Sequence, residues 1–308
     1  MQSTVYHKGA VLLGHEVFDT GVVCPICHSG GGAEKIISIQ KNPEIDLLSC
    51  RRCRGRYASK MPKPEFLDLY YKKDYYADSA SGFTFHDARQ FADHLAKVIR
   101  INENQFKILD FGGGSGDVSS SLAMKLLAGR PVENVEVHVV DYDAAVNHPQ
   151  AAGVRMQYFR NLSEINENKY NIVLASAVLE HIPALFPVIK KLFSCVRSGG
   201  YLYARTPYIS PFMKLFPEIN MTYPAHVHDL GGGFWNRVIE TYQIDAQCLA
   251  SRPSVVETGF RRHFFRTLAA HALKLPGHVE TRIFKSKQKK DPFWPYIGGW
   301  EIFLRFNA

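Results

Sequence analysis

Residues 107–127 leave this chain few choices of fold. Lys107-Ile108-Leu109-Asp110-Phe111 reads as a short buried strand, Gly112-Gly113-Gly114-Ser115-Gly116 as a turn, and residues 117–127 as a helix closed by Gly129 and Pro131. A strand that passes through a glycine turn straight into a helix opens a doubly wound α/β sheet, which holds its ligand at the carboxyl ends of the strands. A dinucleotide would call for G-x-G-x-x-G, but counted from Gly112 the third glycine falls on Asp117. Asp110 also argues against a pyrophosphate, which its carboxylate would repel. The same carboxylate suits a ligand carrying an ammonium or sulfonium group.

Further strands follow at the spacing such a sheet needs. Residues 135–140 read as the second strand, with Asp141 at its carboxyl end, and residues 154–159 as the third. Residues 172–175 are apolar throughout, as befits a central parallel strand buried on both faces. After Ser198-Gly199-Gly200, residues 201–205 give a fifth strand, 254–258 a sixth and 300–306 a seventh, with helices at 87–99 and 234–242. The fold expected is α/β, a Rossmann-like, seven-stranded, doubly wound sheet. An acid placed like Asp141 can accept both ribose hydroxyls of an adenosyl ligand, or cap a helix beginning after Asp143.

Asp110-x-Gly112-x-Gly114-x-Gly116 resembles motif I of the class I S-adenosylmethionine-dependent methyltransferases. The run from Tyr170 to Pro183, with Leu179-Glu180-His181 at its turn, looks like that family's fourth strand and the loop after it. The resemblance covers about residue 106 onward and implies S-adenosylmethionine as cofactor. It places Asp110, Gly112, Gly113, Gly114, Gly116, Asp141, Tyr142, Asn161 and Ser176 at the cofactor, Tyr142 flanking the adenine. Two positions depart from the family pattern: Arg160-Asn161 stands where Gly-Asp is common, and Asn171 where Asp is common. Asn161 keeps a carbonyl acceptor for the adenine amino group but not the charge.

The cysteines mark a second unit. Cys24-Pro25-Ile26-Cys27 and Cys50-Arg51-Arg52-Cys53 are two C-x-x-C knuckles with 22 residues between them, room for a hairpin of strands at 35–40 and 45–49. Four thiolates from two tight turns make the tetrahedral sulfur site that zinc favours. Two disulfides or a redox pair are the rival readings; an intracellular chain disfavours the first, and a redox pair needs no second knuckle. One structural zinc is expected, without catalysis, and Cys195 and Cys248 read as inert core residues. The whole chain looks like bacterial methyltransferases with an N-terminal zinc ribbon, many of them from sugar, polysaccharide and secondary-metabolite pathways. The zinc-containing rRNA guanine methyltransferases are similar too, but usually carry histidine where Cys53 stands. The expected division is a ribbon at 1–65, a helical linker or lid at 66–105 and a methyltransferase domain at 106–308.

The resemblance implies methyl transfer, in which alignment of nucleophile and methyl supplies most of the acceleration. A base is needed only if the acceptor must lose its proton early. His228, His226 and His181 are the candidates, the first two because they lie in the stretch between strands five and six that commonly builds the acceptor pocket. Each has a structural alternative in a surface loop or a packed turn. Asp229 is the only acid adjacent to His226 and His228, so no catalytic metal is expected. Tyr75, Tyr76, Phe85 and His86 are expected either to line the acceptor pocket or to pack the ribbon against the sheet.

Hydrophobic residues make up 46% and charged residues 21%, which excludes a disordered chain or a long coiled coil. The net charge of +8 is clustered at Arg51, Arg52, Arg54 and Arg56, at Arg261, Arg262 and Arg266, and at Lys285, Lys287, Lys289 and Lys290. Such clusters serve either as solvated faces or as grips for phosphate. The expected partner is a small-molecule acceptor, a hydroxyl of a sugar or related metabolite. Nucleic acid is an alternative, as is a non-catalytic zinc-ribbon scaffold. With no apolar run long enough to span a bilayer, a cytoplasmic chain without a membrane partner is expected. Oligomeric state is left open.

Overall fold

A computed structural model describes residues 3–72, 88–100, 103–129, 132–142, 153–213, 215–216, 219–254, 264–283 and 292–307, the Arg266 side chain excepted. Tyr75, Tyr76, Phe85, His86 and the basic groups at 261–262 and 285–290 therefore lie outside the described residues.

The N-terminal part contains β1 (Val17–Asp19), β2 (Ala33–Lys41), β3 (Glu44–Cys50), β4 (Arg56–Ala58) and β5 (Lys60–Pro62). It ends in α1 (Pro64–Tyr70), which has proline in its first turn, where the missing N–H is not needed. The expected hairpin is β2–β3, and β4 extends it. After α2 (Ala88–Ala96) comes the alternating part: β6 (Gln105–Phe111), α3 (Asp117–Gly129), β7 (Asn134–Val140), β8 (Val154–Phe159), β9 (Tyr170–Ser176), α4 (Leu185–Cys195) and β10 (Val196–Tyr208). Then follow α5 (Ser210–Met213), β11 (His228–Asp229), α6 (Gly232–Trp235), α7 (Val238–Tyr242), β12 (Ala246–Pro253), α8 (Phe264–Ile283) and β13 (Gly298–Phe306).

The large sheet has the order β12-β13-β10-β9-β6-β7-β8. β13 runs antiparallel to both neighbours, while β10, β9, β6, β7 and β8 are mutually parallel. Strand order reverses between β6 and β9, so the crevice outside their carboxyl ends is where this topology binds ligands. The strands there are buried because helices cover both faces. On one side α2 and α3 bring Phe91, Leu95, Leu122 and Leu126 onto Ile108, Ile172 and Tyr203. On the other, α4 buries Leu185, Ile189 and Leu192 against Leu109, Val173 and Leu202. Asn171, in place of the family's usual Asp, accepts the Lys107 N–H at 2.8 Å and so ties β9 to β6.

The sixth strand of the sheet in chain order is β12 at 246–253; the strand expected at 254–258 falls, except for Ser254, outside the described residues. β12 is an edge strand with Gln247 and Leu249 exposed, and its sequence lacks a continuous apolar run. The helix expected at 234–242 is two short ones, α6 and α7, and α8 has no counterpart among the expected elements.

The ribbon is not a bead on a string. β11, from the loop between β10 and β12, pairs antiparallel with β4 and becomes the fourth strand of the ribbon sheet, order β11-β4-β3-β2. Ile26, Ile39, Leu47 and Ala58 belong to the same buried cluster as Leu109, Val173 and Leu202. The Phe186 N–H donates to the Pro25 carbonyl at 2.9 Å, the Tyr242 hydroxyl donates to the Ile26 carbonyl, and the His28 and Phe186 rings stack with centroids 5.0 Å apart.

Candidate functional site

The two knuckles fold alike. In each, the residue after the second cysteine takes a left-handed conformation, His28 at φ 58° and Arg54 at φ 62°. Its N–H returns to the carbonyl of the first cysteine, Cys24 or Cys50. The turns bring Cys24, Cys27, Cys50 and Cys53 together, all four sulfurs within 4.8 Å of one another. Cys24 Sγ lies 3.9 Å from Cys53 Sγ, and Cys27 Sγ 3.7 Å from Cys50 Sγ. A tetrahedron with zinc–sulfur bonds of about 2.3 Å has edges of about 3.8 Å, so the donor set fits zinc and leaves no open ligand position.

The glycine loop caps the carboxyl end of β6. Gly112 has φ +72°, and a Cβ on it would come within 2.4 Å of Val178; glycine lets the loop press against the turn that follows β9. Gly114 differs. It also has positive φ, at +54°, but nothing lies within 4 Å of where its Cβ would be. Its N–H donates to Asp141 Oδ2 at 2.7 Å, which joins the loop to the end of β7. Asp110 lies folded beneath the loop, 4% exposed, its carboxylate 2.5 Å from where a Gly113 Cβ would stand. Its Oδ2 has no hydrogen-bond partner. Burial pushes its pKa up to about 6, and the charge of Asp141 adds to the rise while Ser119 opposes it. Two carboxylates beside an open glycine cradle, one with an orphaned oxygen, fit a cationic adenosyl ligand. The structure thus brings Asp110, Gly112, Gly113, Gly114, Gly116 and Asp141 together.

The remaining cofactor candidates stand around this centre. The Tyr142 hydroxyl donates to the Asp68 carboxylate of α1 at 3.1 Å, and its ring is half exposed. Asn161 is exposed just beyond β8, where it starts a short turn with Glu164. Ser176, at the end of β9, accepts from Arg205 Nε at 3.1 Å.

Of the three histidines, two meet. His181 and His226 pack edge to face with centroids 4.7 Å apart. His181 Nδ1–H donates to the Ala225 carbonyl at 2.8 Å, while His226 Nδ1 has no partner. Glu180 joins them, its carboxylate within 4.8 Å of the histidine nitrogens and 1% exposed. Sequence reasoning quoted Glu180 within its motif without assigning it a role; its place beside His181 was the available signal. His228 sits in β11, 1% exposed, with Nε2–H donating to the Ile182 carbonyl at 2.8 Å. Its neighbour Asp229 accepts the Ile209 and Ser210 N–H groups at the start of α5 and lies 3.7 Å from the Arg56 guanidinium. This part of the loop therefore fastens the ribbon to the large domain, and His228 is a packed residue of that seam.

Burial pushes the imidazoles down, His181 and His228 to about 4 and His226 to about 3, and lifts the Glu180 carboxyl to about 8. The histidines stay neutral in the folded chain while the unfolded chain takes up protons below about 6.5, so they lower stability as pH falls. Glu180 and Asp110, with raised values, are protonated earlier in the folded chain and act in the opposite direction. The lowered imidazoles, joined by His7, His138 and His278, outnumber the raised acids Glu180, Asp110 and Asp229, so unfolding free energy should fall from pH 6.5 to 5. Urea titrations at the two values test this, and a protein more stable at pH 5 would contradict it.

The arginine knot is dispersed. Arg51 pairs with Glu34 at 3.2 Å, and Arg56 turns inward to Asp229 with its guanidinium 4.9 Å from the Tyr208 ring centre.

A family model described as a methyltransferase domain matches residues 83–239, just over half the chain. Among curated proteins, the ubiquinone biosynthesis O-methyltransferase of Pseudomonas fluorescens (strain Pf0-1) is 27% identical over 139 residues, covering 42% of this chain and 59% of the relative. That of Shewanella pealeana is 30% identical over 104 residues, 32% of this chain and 43% of the relative. The chain thus spans about half the length of the curated relatives it matches. Among solved structures, phosphoethanolamine N-methyltransferase 2 of Haemonchus contortus, in complex with S-adenosyl-L-methionine, superposes with a TM-score of 0.43 at 11% identity, over 82% of this chain and 63% of that one.

Proposed function

Because this chain belongs to the methyltransferase-domain family, we propose that it moves a methyl group from S-adenosylmethionine to an oxygen of a small polar acceptor, a hydroxyl of a sugar or related metabolite. The observation that carries the reading is the glycine cradle with Asp141 on its rim and the orphaned oxygen of Asp110 beneath it. The curated relatives, named as O-methyltransferases, support oxygen as the atom methylated.

The bound cofactor supplies a methyl group already activated for in-line displacement. Asp141 would hold the ribose hydroxyls, the loop amides and Asp110 the cationic end, and Tyr142 and Asn161 the adenine. The low basicity of His226 and His181 sets the timing of proton transfer. An imidazole this weak cannot strip a neutral hydroxyl beforehand. It can take the proton late, once the forming C–O bond has made the oxygen strongly acidic. Positioning then supplies most of the acceleration and the histidine a smaller part. Glu180, held protonated near neutral pH by burial, lies beside the pair and would balance the charge an imidazole gains by releasing its own proton. His228, fixed in the ribbon seam, is in this account a positioning residue.

The test follows a screen of sugar nucleotides and related hydroxylated metabolites with labelled S-adenosylmethionine. With an acceptor in hand, His226→Ala is expected to lower turnover by about 10²-fold with cofactor affinity unchanged. Wild-type turnover in this variant and in His181→Asn would remove the base and leave positioning alone. The inward turn of Arg56 and the pairing of Arg51 support a small acceptor over RNA. The cradle supports an enzyme over a scaffold. The zinc site and the division at 65 and 105 are part of the same proposal.

A further inference from the structure

Helix α8 is built inside out. A surface helix ordinarily turns its apolar stripe to the core. Here Thr267, Lys274, Gly277 and His278 face the protein, and Lys274 Nζ donates to the Ser254 carbonyl at 3.0 Å and to its hydroxyl at 3.2 Å. Phe265, Leu268, Leu275, Val279 and Ile283 are all exposed, Phe265 by 82% and Ile283 by 67%. At about 100° per residue they fall within about 80° of arc, one continuous apolar face. Glu280 extends it: its carboxylate accepts the Phe293 and Trp294 N–H groups at 2.6 and 2.9 Å, and Trp294 Nε1 donates to the Leu273 carbonyl at 2.8 Å. This clamp holds Phe293, 90% exposed, beside the helix.

Charge identifies what covers this face. Residues 261–290 carry nine Lys or Arg against one acid, Glu280, a net +8. The whole chain has 37 basic and 29 acidic residues, also +8, so the rest of the sequence is neutral and the entire excess falls within this helix and the residues flanking it in sequence. A second copy would set two such segments against each other, and like charges in apposition oppose association. Nucleic acid would answer the charge but leave the apolar face in water. An anionic bilayer answers both, with Phe and Leu side chains at the acyl boundary and Lys and Arg among the headgroups.

We propose that α8 docks this protein on the surface of an anionic membrane, apolar face down. The expectation of no membrane partner rested on the lack of a spanning segment, and among the described residues no helix is long and apolar enough to cross a membrane. Lying on a surface requires no such helix.

The test is co-sedimentation of the full chain with vesicles of phosphatidylcholine alone, or with about 30% phosphatidylglycerol, at about 0.1 M and 0.5 M salt. The chain should pellet with the anionic vesicles at low salt and stay in solution otherwise. The triple variant Phe265→Ser, Leu268→Gln, Val279→Gln should cut the bound fraction at least about tenfold with its circular dichroism unchanged. The variant with Lys285, Lys287, Lys289 and Lys290 all replaced by Gln lies outside the helix and should weaken binding too, so it decides the matter if the triple variant fails to fold. A wild type that ignores both vesicles overturns the proposal. So does a solution dimer that the triple variant dissociates, or binding to a DNA duplex alone that the triple variant retains.

Discussion

Gly114→Val is expected to weaken S-adenosylhomocysteine binding by at least about 10²-fold while the protein still folds. The affinity should fall because the added Cβ and its two methyls would point into the open cradle, where the methionine end of the ligand is proposed to lie. The fold should survive because no protein atom lies within 4 Å of the new Cβ. The cost in the folded chain is the backbone conformation, φ +54°, about 1–2 kcal/mol for a residue with a side chain. A melting temperature lowered by several degrees, with affinity nearly abolished, is the expected signature. Gly113→Ala should behave in the opposite way. Its Cβ would stand 2.5 Å from the Asp110 carboxylate, so stability should suffer first. Calorimetric titration of both variants checks the pair, and an unchanged dissociation constant in Gly114→Val would contradict the site.

The second large effect is loss of the metal. One zinc per chain should co-purify, and Cys50→Ser or a strong chelator should unfold the ribbon, since structural zinc in small modules supplies roughly 10–16 kcal/mol of apparent folding energy. The damage should not stop at residue 65. Because β11 is a strand of the ribbon sheet and the two parts share one buried cluster, losing the knuckles frees the loop that carries His226. Turnover should therefore fall further than cofactor affinity, since the glycine loop and Asp141 are held by β6 and β7. Metal analysis of a reduced, untagged sample decides the first point. A protein without zinc that melts normally would refute it.

What could be read from the sequence was what is local in the chain. The glycine turn lies between a strand and a helix adjacent in sequence, and each knuckle spans four residues, so spacing alone identified them. The seam between ribbon and domain was not legible. β11 is two residues long, too short for any periodicity, and its partner β4 lies about 170 residues away. His226 and His228 were accordingly grouped as one acceptor loop, whereas the fold sends the first to His181 and the second into the seam. α8 escaped because its apolar stripe faces outward, so no pairing with the sheet called for it. β12 escaped because, as an edge strand, it mixes Gln247, Ser251 and Arg252 among its apolar residues and shows no apolar run.

The central claim is that the cradle at Gly112–Gly116 binds the adenosyl and amino-acid parts of S-adenosylmethionine, which S-adenosylhomocysteine shares, rather than a dinucleotide. Calorimetric titration of the wild-type chain with S-adenosylhomocysteine, and separately with NAD, tests it most directly. The expected result is saturable one-to-one binding of S-adenosylhomocysteine at micromolar concentrations and no heat with NAD, because Asp110 would repel the pyrophosphate. Binding of NAD without S-adenosylhomocysteine, or of neither, would contradict the account.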